Sequence, residues 1–439
     1  ISGKSIMNKP QLKLILIFIL LIFSISFSQK LTYPIESKYK SEIKKLALSQ
    51  KVKVALKRID ELEDVTHQNL VYLTEIPAPP FNEQKRAQAF YELLNNAGAD
   101  RVFIDEVGNV IAELKGSGKN TVLIEGHLDT VFPFGTDVSV KMRNDTLFAP
   151  GVGDDTRGLA LIITLLQAIN DADIRTQSTI YFAGTVGEEG LGDLRGVKHL
   201  FSADDIQIDS YIAVDGGGLN RVATSAVGSH RYRVTFRGPG GHSWGAFGLV
   251  NPHHALGRAI EYFTNVADPY SITKGPKVSY NVGRIGGGTS VNSIPFESWM
   301  EVDMRSVNPE RLQKMDELFQ NAMQNALKDQ NDLGRTNDKM IVDIKMVGNR
   351  PAGKVDPSHP LVQRTMASIS YLGGQPELGS GSTNSNIPFS KNIPAVTIGR
   401  GGTGKHGHSL NEWWINENGS LAIKNALLIL LSQAGGIKN

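Results

Sequence analysis

Three short apolar runs, rich in β-branched residues, constrain the fold of this chain more than any other feature. The runs span residues 121–124, 179–183 and 211–214, and a segment with helical periodicity at 157–169 separates the first two. Short buried strands joined by crossover helices are typical of the parallel sheet of an α/β protein. Because ligands gather at the carboxyl ends of the strands in such sheets, we expect a functional site among the residues that follow these runs.

A residue that is able to hold a metal ion follows each run. His127 follows the first run, Glu189 the second and Asp215 the third. Asp154 stands in the Gly-rich segment before the predicted helix, and His408 lies in a Gly-rich loop near the carboxyl terminus. Imidazoles and carboxylates suit zinc, and a carboxylate shared between two ions leaves each an open position for water. The five residues predict a centre for two zinc ions, with cobalt or manganese as substitutes.

Two further acids fit supporting roles at such a centre. Glu188 stands beside Glu189 between glycines, where two like charges repel each other unless a cation is close. One glutamate is therefore expected to bind the metal and the other to transfer protons. Asp129 lies two residues after His127 and is expected to accept the imidazole N–H, which would fix the tautomer that binds metal.

The residue types leave two choices open. Asp154 and Asp155 are adjacent, so one of them is available to the metal while the other, or Thr156, caps the following helix. His406 and His408 lie in the same Gly-rich loop, and either is able to complete the ligand set. Spacing alone does not choose within either pair.

From residue 231 onward the pattern of the chain changes. Strand-like and helical segments follow in the order β-α-β-β-α-β, at residues 231–236, 254–267, 277–284, 298–305, 309–328 and 340–346. This order predicts a small two-layer α+β domain inserted into the α/β domain, with Gly-rich hinges. We therefore expect the α/β domain in two parts, at 65–227 and 349–439, with the inserted domain at 228–348 and a helical lead-in at 29–64.

The first residues have the pattern of a secretory signal. Two lysines precede an apolar run at 14–23, and the small-residue pattern after it ends at Ser28. We expect a signal peptide over residues 1–28, cleavage after Ser28, and export to the periplasm or the medium. A retained anchor is less favoured, because ten apolar residues fall short of the ~20 that span a bilayer. Residues 1–6 precede Met7, match no targeting pattern and are read as non-native.

Composition excludes several classes of function. A chain of 439 residues with 40% hydrophobic and 21% charged residues has the composition of a globular protein with more than one domain. It contains no cysteine, which excludes disulfides and thiolate ligands. The formal charge of +2 includes Lys4, Lys9 and Lys13, so the chain from Gln29 onward carries −1. We expect no nucleic-acid partner and no stable association with membranes after signal cleavage.

In their order along the chain, these motifs resemble a co-catalytic zinc metallopeptidase and deacylase family that includes peptidase T, glutamate carboxypeptidase, aminoacylase, acetylornithine deacetylase and succinyl-diaminopimelate desuccinylase. The resemblance covers most of the chain from about residue 65. It implies a zinc-exopeptidase α/β domain, with a mixed or parallel sheet flanked by helices, split by an α+β lid or dimerisation domain. It also implies a role for each site residue: His127 and Asp215 on one zinc, Glu189 and His408 on the other, Asp154 as the bridge, Glu188 as general base and Asp129 as supporting acid.

Two local observations refine this resemblance. His408 is preferred to His406 because Glu412 follows it in His-Ser-Leu-Asn-Glu, as in relatives. Relatives commonly carry an aspartate in the Gly-rich segment before the last ligand, where this chain has Ser-Thr-Asn-Ser-Asn at 382–386. We expect this departure to change substrate contacts at that segment and to leave the metal residues unaffected.

The inserted domain contributes further resemblances. His242, in Gly-Gly-His-Ser, matches the family histidine that contacts the substrate carbonyl, often across a dimer interface. Asn292 and Arg305 match the residues that hold a substrate carboxylate, a task that suits a bidentate guanidinium. The resemblance therefore implies substrate binding by these three residues and a homodimer.

The sequence predicts an exported zinc-dependent metallopeptidase that cleaves small peptides from one end, using metal-activated water and Glu188 as general base. An N-acyl amino acid deacylase of the same family is the alternative, and the substrate is left open. A non-catalytic binding homologue is disfavoured because all five metal residues and Glu188 are present. An unrelated two-metal amidohydrolase or phosphatase is disfavoured by the order of the ligands and by the inserted domain.

Overall fold

The structure is a computed structural model that describes residues 33–203 and 206–436. The predicted signal peptide, residues 1–28, lies outside the described residues. The helices of the described residues are α1 Ser37–Ala47, α2 Gln50–Glu61, α3 Glu63–Thr74, α4 Gln84–Asn96, α5 Thr156–Asp171, α6 Arg195–Leu200, α7 Pro252–Ser271, α8 Pro309–Leu333, α9 Pro360–Tyr371, α10 Asn386–Ser390 and α11 Gly419–Gln433.

The strands of the same residues form four sheets. They are β1 Arg101–Ile104, β2 Val110–Leu114, β3 Thr121–His127, β4 Lys141–Arg143, β5 Thr146–Phe148, β6 Thr179–Thr185, β7 Ser210–Val214, β8 Arg221–Ala226, β9 Gly228–Arg237, β10 Gly241–His242, β11 Val278–Gly287, β12 Ser293–Ile294, β13 Glu297–Ser306, β14 Ile341–Arg350, β15 Gly353–Lys354, β16 Glu377–Gly381, β17 Ala395–Ile398, β18 Thr403–Lys405 and β19 Trp413–Ile415.

The largest sheet has the order β1-β2-β6-β3-β7-β17-β8-β15, with β16 paired to β8. Its centre, β6-β3-β7-β17, is parallel, whereas β1, β2 and β15 join by antiparallel pairing. Every residue of β3 is buried, as expected for a strand covered on both faces. The three apolar runs therefore form adjacent strands, and the predicted α/β sheet flanked by helices is confirmed.

The inserted segment is built as its pattern predicts. Its strands and helices follow in the order β9, α7, β11, β13, α8, β14, and the strands form an antiparallel sheet of order β11-β13-β9-β14. Buried and partly exposed residues alternate along β13, since the two helices cover only one face of the sheet. The β-α-β-β-α-β prediction is confirmed. The last strand runs to Arg350, two residues past the expected boundary, because Arg350 still pairs with Ser229.

Two small sheets complete the described fold. The strands β18-β19-β5-β4 form an antiparallel sheet that joins segments more than 250 residues apart in sequence, for example through the pair Trp414 and Leu147. The strands β10 and β12 form a two-stranded ribbon in which His242 is opposite Ser293. The first of these sheets supports two loops of the candidate site described below.

Local boundaries agree with the sequence less well than the elements themselves. Gly98 follows α4 with a φ of 89°, the left-handed conformation expected of a glycine that ends a helix. The residue that precedes the same helix is Glu83, which makes no side-chain capping bond, and the Asn82 amide donates to the Pro80 carbonyl. The helical lead-in consists of α1 and α2. Among the described residues, the helices are all too short or too polar to cross a membrane.

Candidate metal centre

The predicted metal residues come together at one edge of the central sheet. His127 is the last residue of β3, Asp215 follows β7, and Glu188 and Glu189 lie on the turn after β6. These strands are neighbours and run parallel, so their carboxyl ends meet at the same edge. Buried apolar strands thus carry three separate segments of the chain to a single point.

Two sets of metal-capable residues share Asp154. The first ligand group is His127, Asp154 and Asp215, and the second is Asp154, Glu189 and His408; in each, one ligand atom per residue lies within 4.8 Å of the others. Asp154 Oδ1 is 3.4 Å from His127 Nε2, and Asp154 Oδ2 is 3.3 Å from His408 Nε2. One carboxylate therefore offers an oxygen to each imidazole. This donor set fits two divalent ions such as zinc.

A backbone carbonyl orients the imidazole of His127. Its Nδ1 lies 2.9 Å from the carbonyl oxygen of Asp129, and because a carbonyl only accepts, Nδ1 carries the proton. Nε2 is then the ring nitrogen that faces Asp154. The prediction that the Asp129 carboxylate accepts this N–H is wrong, since Asp129 Oδ1 is 3.8 Å from Nδ1. The required tautomer is fixed, but by the main chain of Asp129.

The carboxylate of Asp129 instead holds the turn that carries the two glutamates. Its oxygens accept the backbone N–H groups of Glu188, at 2.9 Å, and Glu189, at 2.7 Å. Asp129 is fully buried, and bonds from N–H groups to a buried carboxylate are among the stronger ones in proteins. Asp129 therefore couples the ends of β3 and β6 and sets the position of both glutamates.

Asp155 has a structural role that differs from the expected helix cap. It precedes α5, but its side chain makes no capping bond; Oδ2 accepts the backbone N–H of His127 at 3.1 Å. The Thr156 hydroxyl donates to the Gly151 carbonyl and does not cap the helix either. Of the two adjacent aspartates, only Asp154 belongs to the ligand groups, and the peptide bond between them is cis.

Glu412 holds the Gly-rich loop that carries Asp154. Its buried carboxylate accepts three backbone N–H groups, from Gly151 at 2.8 Å, Gly153 at 2.9 Å and Asp154 at 3.0 Å. His408 lies on the same loop as Glu412, between β18 and β19, and has a φ of 64°, which non-glycine residues seldom adopt. His408, and not His406, joins a ligand group. Glu412 thus ties the loop of Asp154 to the loop of His408.

Glu188 has an ion-pair partner that no sequence pattern indicated. Arg350, the last residue of β14 in the inserted segment, places Nη1 2.9 Å from Glu188 Oε1 and also donates to the Glu188 carbonyl. Both side chains are buried. Burial raises the pKa of Glu188 well above its usual range, with Glu189 acting in the same direction and Arg350 against it. The guanidinium therefore fixes the Glu188 carboxylate beside both ligand groups.

A second, largely buried guanidinium lies beside Asp154. Arg400, two residues after β17, places Nη1 2.9 Å from Asp154 Oδ1 and 3.8 Å from Asp215 Oδ1. Burial opposes ionisation of Asp154, but Arg400 and the two imidazoles outweigh it and hold the pKa of Asp154 well below its usual range. Hydrogen bonds to Asp154 and Glu189 raise the pKa of His408 to about 10. The negative charge of Asp154 is therefore surrounded by the positive charges of Arg400 and the two imidazoles.

The three predicted substrate residues lie in the inserted segment, apart from the ligand groups. His242 and Asn292 are exposed. They are neighbours, since the Ser243 N–H donates to the Asn292 carbonyl at 2.9 Å. Arg305 lies on the face of β13 that the helices leave open, and its Nε is 2.6 Å from Asp303 Oδ2. Their described hydrogen bonds and ion pairs do not include a member of either ligand group.

The segment that departs from the family pattern is buried. Asn384 donates to Glu125 Oε2 at 3.0 Å and to the Thr185 hydroxyl at 2.8 Å. Burial raises the pKa of Glu125 to about 7, against the hydrogen bonds of its polar neighbours. Asn384 therefore joins the polar core beneath His127, which explains why an amide serves here: it donates to a buried carboxyl group.

A cleft of about 740 Å³ lies beside the loops of the ligand groups. Pro150, immediately before the Asp154 loop, lines it on one side, and Leu410, two residues after His408, lines it on another. Phe134 and Phe148 give the cleft an aromatic surface, and Arg143 adds a positive charge. This volume lies within the range of ordinary small-molecule sites.

A family model described as peptidase family M20/M25/M40 matches residues 123–424 of this chain. The match covers the ligand groups, Glu188 and the whole inserted segment. The chain belongs to this peptidase family. Membership makes it a metal-dependent hydrolase, and the two ligand groups are where the M20 chain is able to hold its metal.

Individual relatives are similar over most of the chain. The uncharacterised protein YqjE of Bacillus subtilis is 25% identical over 67% of this chain and 76% of its own, and carboxypeptidase G2 of Pseudomonas is 22% identical over 68% and 70%. A tripeptidase structure from Staphylococcus aureus superposes with a TM-score of 0.68 at 21% identity, over 85% of this chain and 98% of its own. The YxeP protein of B. subtilis, described as a dinuclear metal-binding M20 peptidase, gives 0.58 at 18%, over 84% and 99%.

Replacing Glu412 with glutamine tests how far the metal residues depend on their support. The amide presents N–H groups to backbone N–H groups, so we expect the Asp154 loop to shift and metal affinity to fall about 10- to 100-fold, as for other partners of metal ligands. Affinity is measured by zinc titration against a competing chelator. Glu417→Gln, an exposed change five residues away, is the control. Unchanged affinity in Glu412→Gln would show that the loop holds its position without this carboxylate.

Proposed function

We propose that this protein is an exported hydrolase with two zinc ions that removes residues from the end of small peptides. The observation that carries the proposal is the pair of ligand groups that share Asp154, with the Glu188 carboxylate beside both. Each group contributes one imidazole, one carboxylate of its own and one oxygen of Asp154. Three protein donors for each ion would leave room for water and substrate, as in catalytic zinc sites.

In this proposal His127 and Asp215 would hold one ion, Glu189 and His408 would hold the other, and Asp154 would contribute to both. Bound zinc would supply polarisation of the scissile carbonyl and a lowered pKa for the attacking water. Glu188 accepts the proton of that water and delivers it to the leaving amine. Buried surroundings raise the pKa of Glu188, which makes its carboxylate a stronger base for the proton of that water.

Arg350 and Asp129 act through Glu188 in this reaction. Asp129 fixes the backbone of the turn, and Arg350 fixes the carboxylate from the side of the inserted segment. A positioned base needs such support, since a displacement of about 1 Å costs roughly 100-fold in rate. These two residues are positioning residues, whereas Glu188 contacts the reacting water.

The inserted segment supports a small peptide as the substrate. Arg305 and Asn292 offer a cation and an amide for a substrate carboxylate, as the family resemblance implies. Carboxypeptidase G2 and the tripeptidase are exopeptidases by name, which agrees with removal of a terminal residue.

A substrate panel tests this function and the role of Glu188 together. Zinc-loaded protein is incubated with dipeptides, tripeptides and N-acyl amino acids, and free amino groups are counted. We expect cleavage of the peptides, and loss of at least ~100-fold in kcat for Glu188→Gln, because the amide cannot accept the proton.

The metal content of Glu188→Gln, measured by mass spectrometry, should equal that of the wild type. Cleavage of N-acyl amino acids alone would establish the deacylase instead, and cleavage of neither class would refute the proposed activity. Wild-type kcat in the variant would remove Glu188 from the mechanism without affecting the metal assignment.

We also propose a homodimer in which His242 acts on the site of the partner. His242 is exposed and makes no described bond to a ligand group, while Trp244 and Phe247 beside it are exposed aromatic residues. Exposed apolar clusters of this kind mark protein interfaces. A second copy of the chain would cover them and bring His242 to the other centre.

Mixed dimers test this arrangement. His242→Ala and Glu188→Gln are each expected to be inactive, but co-expression produces dimers in which one site has an intact Glu188 and receives an intact His242. We therefore expect activity to return to about one quarter of the wild-type level, the share of intact sites when chains mix at random. No recovery, in dimers confirmed by differently tagged chains, would place His242 in its own subunit.

Export is supported by the signal pattern of residues 1–28. We expect the mature protein in the periplasm or the medium, beginning at Gln29, because the small residues at positions 26 and 28 fit the cleavage rule. Cell fractionation and amino-terminal sequencing of the full-length product measure this. A cytoplasmic product that retains residues 14–23 would contradict it.

A further inference from the structure

Backbone hydrogen bonds between the loop of Arg400 and the loop of Asp215 hold Arg400 close to the metal-capable residues. Its backbone N–H donates to the Gly216 carbonyl at 3.2 Å, and the Asp215 N–H donates to the Ile398 carbonyl at 2.9 Å. The loops after β7 and β17 are thus hydrogen-bonded to each other. The Arg400 side chain is only 14% exposed, and its Nη1 is close to three carboxylates, those of Asp154, Asp155 and Asp215.

The two ligand groups have equal donors but unequal surroundings. Each has one imidazole, one carboxylate of its own and a share of Asp154. Arg400 contacts both carboxylates of the first group, at 2.9 Å and 3.8 Å, but in the second group it contacts only the shared Asp154. That contact is to Oδ1, whereas His408 lies on the side of Oδ2. The donor atoms give the two groups no difference in affinity for zinc. The fixed positive charge of Arg400, which lies closer to the first group, is what makes their affinities differ.

We propose that Arg400 is a built-in counterion of the first ligand group, and that it makes the two groups load zinc in order, the second group first. This inference rests on the proposed function, in which both groups bind zinc. A guanidinium beside two carboxylates neutralises part of the charge that would otherwise attract the ion, and it repels the ion directly. Without metal, the same guanidinium compensates the buried carboxylates and keeps the metal-free protein folded.

Burial strengthens this difference between the groups. His127 is 2% exposed, so an ion in the first group interacts with Arg400 through protein and is poorly screened by solvent. The His408 side chain is 54% exposed, so the second group is open to water and to an incoming ion. Both features favour the second group as the first to fill.

The order of loading is measured on the unaltered protein. Crystals are grown from metal-free protein with one equivalent of zinc, and anomalous diffraction at the zinc edge locates the ion. We expect the density among Asp154, Glu189 and His408. Density confined to the side of His127 and Asp215, or equal density on both sides, overturns the inference.

Substitution of Arg400 separates its charge from its shape. In Arg400→Gln we expect the weaker of the two zinc-binding steps to tighten about tenfold or more, because the repulsion is removed, while the Tm of the metal-free protein falls. Arg400→Lys retains a positive charge and should keep the two steps unequal. The matched control is Arg157→Gln, which removes a buried guanidinium whose described hydrogen bond is to the Gly419 carbonyl.

The decisive result is that Arg400→Gln binds zinc more tightly while the Tm of its metal-free form falls. A residue that merely supports the fold would lower both Tm and zinc affinity when replaced, and that outcome overturns the inference. Unchanged zinc binding in Arg400→Gln also overturns it and leaves the proposed function standing. If the wild type takes up no zinc in titrations with zinc alone, the proposed function itself fails. The two failures are therefore distinguishable in one set of titrations.

Discussion

Repulsion between carboxylates is the constraint on which the rest of this structure depends. The edge of the sheet gathers Asp154, Asp155, Asp215, Glu188 and Glu189 into one partly desolvated region. Such a group of like charges is unfavourable unless cations and hydrogen-bond donors compensate it. Much of the surrounding architecture supplies that compensation: two buried guanidinium groups, two imidazoles and the backbone N–H groups that fix the supporting acids.

The supporting acids and arginines also join parts of the chain that are distant in sequence. Glu412 connects the carboxyl-terminal loop to the loop before α5, and Arg350 connects the inserted sheet to the turn after β6. These contacts give the inserted segment a direct bond to the Glu188 carboxylate. The segment therefore reaches the turn after β6 through two guanidinium groups, since Arg231 of β9 also donates to the Gly190 carbonyl at 2.7 Å. It also carries the residues predicted to bind the substrate, on its exposed ribbon and open sheet face.

The sequence predicted those features that local patterns determine. Apolar runs bounded by glycines identified β3, β6 and β7, and the parallel-sheet rule then placed His127, Glu189 and Asp215 at one edge. The order β-α-β-β-α-β followed from periodicity alone. The resemblance to a known family added the pairing of the ligands, and the geometry of the two groups around Asp154 agrees with that pairing.

The partners of these residues could not be predicted in the same way. Arg350 is 162 residues from Glu188 and Arg400 is 246 residues from Asp154, and a lone arginine at a strand end has many possible partners. Asp129 was assigned the wrong bond to His127 because spacing indicates which side chains are near but not whether a carbonyl or a carboxylate makes the bond. Arg400 did carry one usable signal, its position in a Gly-rich loop after a buried strand.

The small sheet β18-β19-β5-β4 has a consequence for the time at which the protein becomes competent. His408 and Glu412 reach the Asp154 loop only when β19 pairs with β5, a contact across more than 250 residues that forms slowly compared with local structure. A nascent chain that ends before residue 403 has His127 and Asp215 but contains neither His408 nor Glu412. Synthesis from the amino terminus therefore leaves the centre incomplete until the loop between β18 and β19 has been made and has packed against β5.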